Sequence, residues 1–379
     1  MSVDVTYCLD EWENYFTEKP LSFSEFVDTY DGKEQIFPHI MEKIQEISKN
    51  HIATEYYIQG IIGSGKTTLI YLLAAYKVYL FLLLKSPSSL FNLSPTSEYV
   101  MAVFGGSSRK TGSLFAEGFS HFLSKIPFFR YASDNFSELD SAWTRNALND
   151  VITFKHNGNE LHCRMFVNDA DLLGNNVVIG IMTELSFYQE ACNISSEMIF
   201  RIFNKLRWRI DSRCKGNFIS LLIVEKSPNN IWGDLMDKYF YENVINNPKQ
   251  MLITFQRYWV IFKNKDPSAD IDSYINIYTG EVSSNLLNNF DYIGFPSKFN
   301  GIDFLEKAKG CPEEFIKDYV GIPLQLGMNK KSYEVMKQIK DLMYKYNIDI
   351  TYKHGKMYLE CDTDQASLCL SDVPYGIDN

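Results

Sequence analysis

An α/β fold with a mainly parallel central sheet and helices on both faces is predicted by three observations: apolar strand-like runs alternate with helical stretches, one such run leads straight into a glycine-rich turn and an apolar helix, and a single hairpin signal marks an antiparallel addition. The strand-like runs cover residues 55–59, 99–104, 151–154, 161–167, 177–182, 218–224 and 251–262. Asn157-Gly158-Asn159 separates two of them and reads as the hairpin turn. Before the first run, residues 1–50 alternate aromatic and charged positions, with a helix predicted over 35–48, and are expected to form an N-terminal subdomain or lid. The main domain is expected over 51–325. The pattern changes after Gly321-Ile322-Pro323: 330–346 reads as an amphipathic helix and 348–361 as a hairpin turning at His354-Gly355, so 326–379 is expected to be a linker or small α+β extension.

Composition bounds the function. The 379 residues suggest roughly two domains, and 45% hydrophobic with 15% aromatic content is ample for a buried core. Against 37 basic residues stand 47 acidic ones, a net charge of −10, which excludes a surface coated throughout in nucleic acid and confines any such contact to local patches. The seven cysteines are scattered, without a C-x-x-C pair, as expected of reduced thiols rather than of a disulfide frame or zinc site. No basic stretch followed by an apolar one marks a signal peptide. The apolar run 69–84 is interrupted by Lys77 and is shorter than the roughly 20 residues that span a bilayer; it reads as a buried helix, and no membrane partner is expected.

The run 55–59 is followed by Gly60-Ile61-Ile62-Gly63-Ser64-Gly65-Lys66-Thr67, which matches G-x-x-x-x-G-K-[S/T] in full, with Thr68 opening the apolar stretch beyond it. Glycines at these positions let successive backbone N–H groups turn inward around phosphates, and the following helix presents its positive end to the same anion. Lys66 is expected to reach the β- and γ-phosphates of ATP and Thr67 to hold Mg²⁺. Strand, loop and helix occur in the required order, so the expected fold is that of a P-loop NTPase.

Hydrolysis also requires an oriented water, and an acidic residue at the end of a buried apolar strand performs that task. Glu184 stands where the run 177–182 emerges. In the usual arrangement an aspartate precedes this glutamate and supports Mg²⁺; here the position is Thr183, a hydroxyl without charge. Asp169 and Asp171, in the loop before the strand, are candidate substitutes.

From Leu173 the chain reads LGNNVVIGIMTELSFY, then RIFNKLRWRIDSR over 201–213 and FISLLIVEKSPNN over 218–230. In this order, and with Phe295-Pro296 and the stretch 311–323, the sequence resembles the ATPase part of phage terminase large subunits over roughly residues 50–325. The resemblance implies an ASCE-type sheet and an ATP-hydrolysing motor that moves double-stranded DNA into a prohead, working in the host cell cytoplasm as a homo-oligomeric ring on the portal protein with a small terminase subunit. It implies a γ-phosphate sensor at Ser227, after the strand, where an ordinary Ser-Pro turn explains the same residues. Three departures stand out. Ile62 occupies a position that is arginine in many members, the loop 169–173 has no basic residue, and the chain ends near where a ribonuclease-H-like nuclease domain would begin. Asp362 and Asp364 have too little chain after them to build that domain, so nuclease activity is not expected; the sequence is a fragment, or the nuclease is a separate polypeptide.

The finger arginine is left open, with Arg109 and Arg213 as candidates; Arg109, after a Gly105-Gly106 turn, is also a candidate DNA contact. Arg201, Lys205 and Arg209 recur at i, i+4 and i+8, opposite Ile199, Ile202, Phe203, Leu206 and Ile210, a stripe suited to neutralising phosphates without reading bases. A solvated face explains the same stripe. Two other functions fit the motifs: a helicase or recombination ATPase of related fold, and an assembly module that binds nucleotide with little turnover.

Overall fold

The computed structural model describes residues 9–50, 52–61, 63–104, 109–134, 143–146, 151–186, 189, 194–214, 217–227, 235–236, 239–240, 247–255, 257–262, 270–277, 279–284, 292–321, 348–353, 356–361 and 368–369. The chain divides into two units, 1–269 with 314–323, and 270–313 with 324–379.

The first unit contains strands β1 (Glu55–Gln59), β2 (Tyr99–Phe104), β3 (Trp143–Asn146), β4 (Val151–His156), β5 (Asn159–Phe166), β6 (Asn176–Met182), β7 (Leu221–Lys226) and β8 (Gln250–Thr254). They form one eight-stranded sheet in the order β3-β4-β5-β2-β6-β7-β1-β8. The run from β5 to β8 is parallel throughout, and β4 and β3 add an antiparallel edge. Helices α1 (Phe23–Asp28), α2 (Pro38–Lys49), α3 (Lys66–Leu82), α4 (Pro87–Phe91), α5 (Arg109–Leu123), α6 (Pro127–Asp134), α7 (Ser196–Cys214) and α8 (Tyr258–Ile261) accompany it. The β1-to-β2 connection through α3 and the β6-to-β7 connection through α7 cross the sheet in opposite senses, so right-handed crossovers place these helices on opposite faces. Strand β7 lies between β1 and β6. This is a P-loop NTPase sheet of the ASCE type, with one strand inserted between the phosphate-loop strand and the strand of the acidic residue.

Local sequence explains most of the elements. Helix α3 is apolar on nearly every side because it is enclosed: Leu69, Ile70, Leu72, Leu73, Val78 and Leu80 are all buried, and the buried Lys77 donates from Nζ to the Phe218 carbonyl at 2.6 Å. No helix among the described residues is long and apolar enough to cross a membrane. Asn157 and Gly158 have φ of 51° and 79°, the two positive values that a two-residue hairpin between β4 and β5 requires. Ser22 and Glu25 form a reciprocal capping box at α1. Ile40, Ile44 and Ile47 form the buried face of α2, and Phe23 and Phe26 of α1 pack against Tyr76 at 5.1 and 5.4 Å between ring centroids.

Strand β3 was not expected, β4, β5 and β6 differ from the expected runs by one or two residues at their ends, and three further elements differ in ways that bear on the site. Helix α2 starts at Pro38, after a short 3-10 turn over Lys33–Gln35, because proline suits the first helical turn. Strand β7 begins at Leu221 rather than 218, since Asn217 turns the chain, accepting from Ile219 N at 3.2 Å and Ser220 N at 2.9 Å; it runs on to Lys226 and so includes Glu225. The run 251–262 is not one strand. Strand β8 stops at Thr254 and α8 follows, with Trp259 buried and its neighbour Val260 43% exposed.

In the second unit β9 (Ser273–Asn276) is flanked by β10 (Val282–Ser283) and β11 (Tyr292–Phe295) in an antiparallel sheet, and β12 (Lys298–Phe299) pairs with β13 (Ile302–Asp303). Helix α9 (Phe304–Gly310) is capped by Asp303, whose carboxylate accepts from Glu306 N at 2.9 Å. Strands β14 (Ile348–Lys353), β15 (Lys356–Cys361) and β16 (Leu368–Cys369) form a second antiparallel sheet. The expected hairpin is present, with Lys353 opposite Lys356. The expected helix over 330–346, and Asp362 and Asp364, lie outside the described residues.

Candidate active site

Strands β1, β6 and β7 are parallel, so their C-terminal ends open on one edge of the sheet. The loop after β1 turns there through Gly63 and Gly65, whose φ values of 75° and 89° favour glycine. Gly65 also has no room for a side chain, because a Cβ would stand 2.2 Å from Ile40 Cδ1 on α2. Lys66 opens α3 and is held within the loop: Nζ donates to the carbonyls of Gly60 at 2.9 Å and Ile61 at 3.0 Å, and to Ser227 Oγ at 3.2 Å. Ser64 is fully buried and donates to the Ile61 carbonyl at 2.8 Å. Thr67 is exposed and Thr68 half-buried on the first turn of the helix. Ile62 lies outside the described residues.

Glu184 follows β6 as anticipated, with a left-handed backbone at φ 57°. The feature that holds it there was not anticipated. Glu225, at the end of β7 and 1% exposed, accepts from the Glu184 backbone N–H at 2.7 Å and from Thr183 Oγ1 at 2.9 Å through the same oxygen, Oε2. Its other oxygen, Oε1, lies 3.4 Å from Lys66 Nζ. The Glu184 side chain is open to solvent, yet desolvation by the surrounding protein and then the Glu225 charge raise its pKa, while Lys66 opposes them. Ser186 Oγ donates to the Ser227 carbonyl, which ties the segment after β6 to the segment after β7. Lys66, Thr183, Glu184 and Ser227 therefore converge at this edge.

Two further residues join them. Glu225 was concealed in a strand read as ending at 224; an acidic residue directly after an apolar run was the available signal. His39 on α2 places Nε2 2.8 Å from the Ser64 carbonyl, with its ring stacked on Phe37 and edge-on to Phe255 and Phe262. Its Nδ1 is buried without a hydrogen-bond partner. Nothing in the sequence marked it.

The remaining candidates are placed elsewhere. Asp169 pairs with Arg201 at 3.2 Å and Lys205 at 2.5 Å, and the Lys205 hydrogen bond, with the Arg201 charge, holds its carboxyl below the usual range. Asp171 caps its own turn, accepting from Val167 N and Asn168 N at 3.3 Å each. Neither substitutes for a carboxylate at 183. The stripe on α7 is half right: Ile199, Ile202, Phe203, Leu206 and Ile210 are buried as expected, but Arg201 and Lys205 are engaged by Asp169. Arg209 is half-buried farther along the helix. Arg213 lies away from this chain's own phosphate loop. Its neighbour Cys214 contacts the Val177 carbonyl at 3.3 Å, at the start of β6, so Arg213 sits near the opposite edge of the sheet, about 16 Å from the edge where Glu184 emerges at about 3.3 Å per strand residue. Arg109 opens α5 after β2, with 105–108 outside the described residues.

Magnesium takes few protein ligands beside substrate phosphates and prefers hard oxygens. The exposed Thr67 hydroxyl and the buried Glu225 carboxylate are such donors, so the residues present fit the ion.

No protein-family model and no curated protein matches the chain. Among solved structures it is similar to the HK97 bacteriophage large terminase, at 13% identity and a TM-score of 0.41, over 76% of this chain and 50% of that one. It is similar to the Thermus phage P74-26 large terminase ATPase domain, at 9% identity and a TM-score of 0.38, over 70% and 87%. A third similar structure is the large terminase of a thermophilic bacteriophage in complex with ADP, at 10% identity and a TM-score of 0.34, over 54% and 40%. The chain spans about half the length of the HK97 protein. Likeness at these identities and scores carries no weight for function.

Proposed function

We propose that the chain is an ATPase, the motor part of a viral terminase that drives double-stranded DNA into a prohead, acting as a homo-oligomeric ring with portal protein and small terminase subunit as partners. One observation carries the enzymatic part. The phosphate-loop lysine and the glutamate at the end of β6 are joined through one buried carboxylate, with Lys66 Nζ 3.4 Å from Glu225 Oε1 and Glu184 N 2.7 Å from Glu225 Oε2. Backbone N–H groups of the loop and Lys66 bind and neutralise the β- and γ-phosphates. Mg²⁺, held at Thr67, supplies further neutralisation of those oxygens when bound. Glu184 orients the attacking water and accepts its proton, a task suited to a carboxylate whose pKa burial and the Glu225 charge raise above its ordinary value. Ser227 acts as the γ-phosphate sensor, a reading supported by its bond to Lys66. The DNA-facing role belongs to the motif order quoted above and to the basic residues Arg201, Lys205 and Arg209, with Arg109 of an adjacent subunit as finger.

The test is steady-state ATP hydrolysis, with and without double-stranded DNA, for the wild type and Glu184→Gln. Loss of about 10²–10⁴-fold in kcat with nucleotide binding retained is expected. Equal, near-zero rates would instead leave a nucleotide-binding assembly module, and strand separation by the wild type would point to a helicase.

A further inference from the structure

Position 183 carries a hydroxyl where a magnesium-supporting carboxylate ordinarily stands, and neither Asp169 nor Asp171 is free to replace it. We propose that Glu225 supplies this carboxylate from the adjacent strand, so that the negative charge supporting Mg²⁺ has moved from the end of β6 to the end of β7. The proposal rests on the nucleotide-binding reading above.

Register makes the exchange possible. Met182 pairs with Val224 in the parallel ladder, so the next residues, Thr183 and Glu225, lie side by side as the strands end. The Thr183 hydroxyl donates to Glu225 Oε2 at 2.9 Å, so the shorter residue on β6 makes room for the longer carboxylate on β7 and then helps to fix it. The Glu184 N–H fixes the same oxygen. Charge balance supplies the second argument. A carboxylate only 1% exposed requires a cation, since breaking a buried pair leaves an uncompensated charge. Lys66 at 3.4 Å provides that cation here. When Lys66 turns to the β- and γ-phosphates, Oε1 is left facing the site without it, and a divalent ion bound to those same phosphates restores the balance. Glu225 thus has one oxygen fixed by Thr183 and Glu184 and a second that faces the phosphate-loop lysine, whose neighbour Thr67 is exposed on the first turn of α3.

Moving the charge back tests this. Affinity for a fluorescent ADP analogue is measured in EDTA and across a Mg²⁺ titration for the wild type, Glu225→Gln and the double variant T183D/E225Q, with melting temperatures as the control for folding. Glu225→Gln is expected to raise the Mg²⁺ midpoint by at least about 10-fold, the scale of loss on removing a group that supports a metal's ligands, with a much smaller change in EDTA. The double variant is expected to recover most of that loss, because the carboxylate is restored one strand away. An unchanged midpoint in Glu225→Gln overturns the proposal. So does a folded double variant that recovers nothing, and this arm still decides the matter if the single variant does not fold. A wild type that binds no nucleotide in either condition overturns the underlying site reading itself, an outcome recognised from the wild type alone.

Discussion

The contact between Gly65 and Ile40 joins the N-terminal helix α2 to the phosphate loop, and its energy can be worked out before it is measured. In Gly65→Ala two costs arise. An alanine at φ 89° incurs the left-handed penalty of about 1–2 kcal/mol. Its Cβ also falls 2.2 Å from Ile40 Cδ1. That methyl is the far end of a side chain, but Ile40 is 1% exposed and cannot rotate away freely, so overpacking adds about 1–3 kcal/mol. In an Ile40→Ala background the offending carbon is gone and only the conformational penalty remains. Ile40→Ala alone costs about 2–5 kcal/mol through reduced burial and a new cavity. Urea unfolding of the four proteins in the cycle should therefore give a coupling energy of about 1–3 kcal/mol, with Gly65→Ala less harmful when Ile40 is truncated. Nucleotide affinity should follow the same pattern, since the overlap displaces the loop that binds phosphate. Additivity within about 0.5 kcal/mol would refute the reasoning, for it would mean that α2 does not brace the loop.

Two more outcomes are expected. Because folding raises the Glu184 pKa above its ordinary 4.5, ionising this group is less favourable in the folded state than in the unfolded one; that penalty is fully present above the folded-state pKa and disappears as pH falls below 4.5. Glu184→Gln should accordingly melt higher than the wild type at neutral pH, with the two curves converging below pH 4.5, and a difference independent of pH would contradict the sign. For the basic stripe, replacing Arg201 and Lys205 by alanine should weaken binding to duplexes of any sequence equally and reduce the salt slope by about 1 for each DNA phosphate that is no longer neutralised; an unchanged slope would assign the pair to Asp169 alone.

The sheet was legible because parallel strands buried on both faces leave continuous apolar runs, and the phosphate loop because its glycines and lysine occupy fixed positions. Boundaries were less so. Asn217 fixes the start of β7 through side-chain and backbone bonds that no periodicity reveals, and the error concealed Glu225 as a site residue. The end of β8 was missed for another reason: Met251–Phe255 and Tyr258–Phe262 are both rich in apolar and aromatic residues, and the polar pair Gln256-Arg257 between them, after which α8 begins, was the break passed over. His39 was invisible because its proximity to Ser64 depends on how α2 packs on the loop. The place of Arg213 was not legible either, because only the path of α7, which ends where Cys214 meets the Val177 carbonyl, carries it to the far edge.

The inserted strand explains why these residues act together. Were β1 and β6 neighbours, Lys66 and Glu184 would answer to separate local bonds. With β7 between them, a single carboxylate touches both, and Glu184 keeps a left-handed backbone, costing about 1–2 kcal/mol in an L-residue, while its N–H is bonded to Glu225 at 2.7 Å. On the proposed reading, a displacement of Lys66 toward phosphate would change the charge facing Glu225 Oε1, while Oε2 of the same group holds the backbone of Glu184. Lys66 and the Glu184 backbone are therefore two bonds apart, and the serine that follows β7 one residue beyond Lys226 is bonded to Lys66 as well. If the proposed site binds a triphosphate, a change at Lys66 would be passed to β7 and the segment after it, where the Ser186-to-Ser227 bond ties the two strand ends.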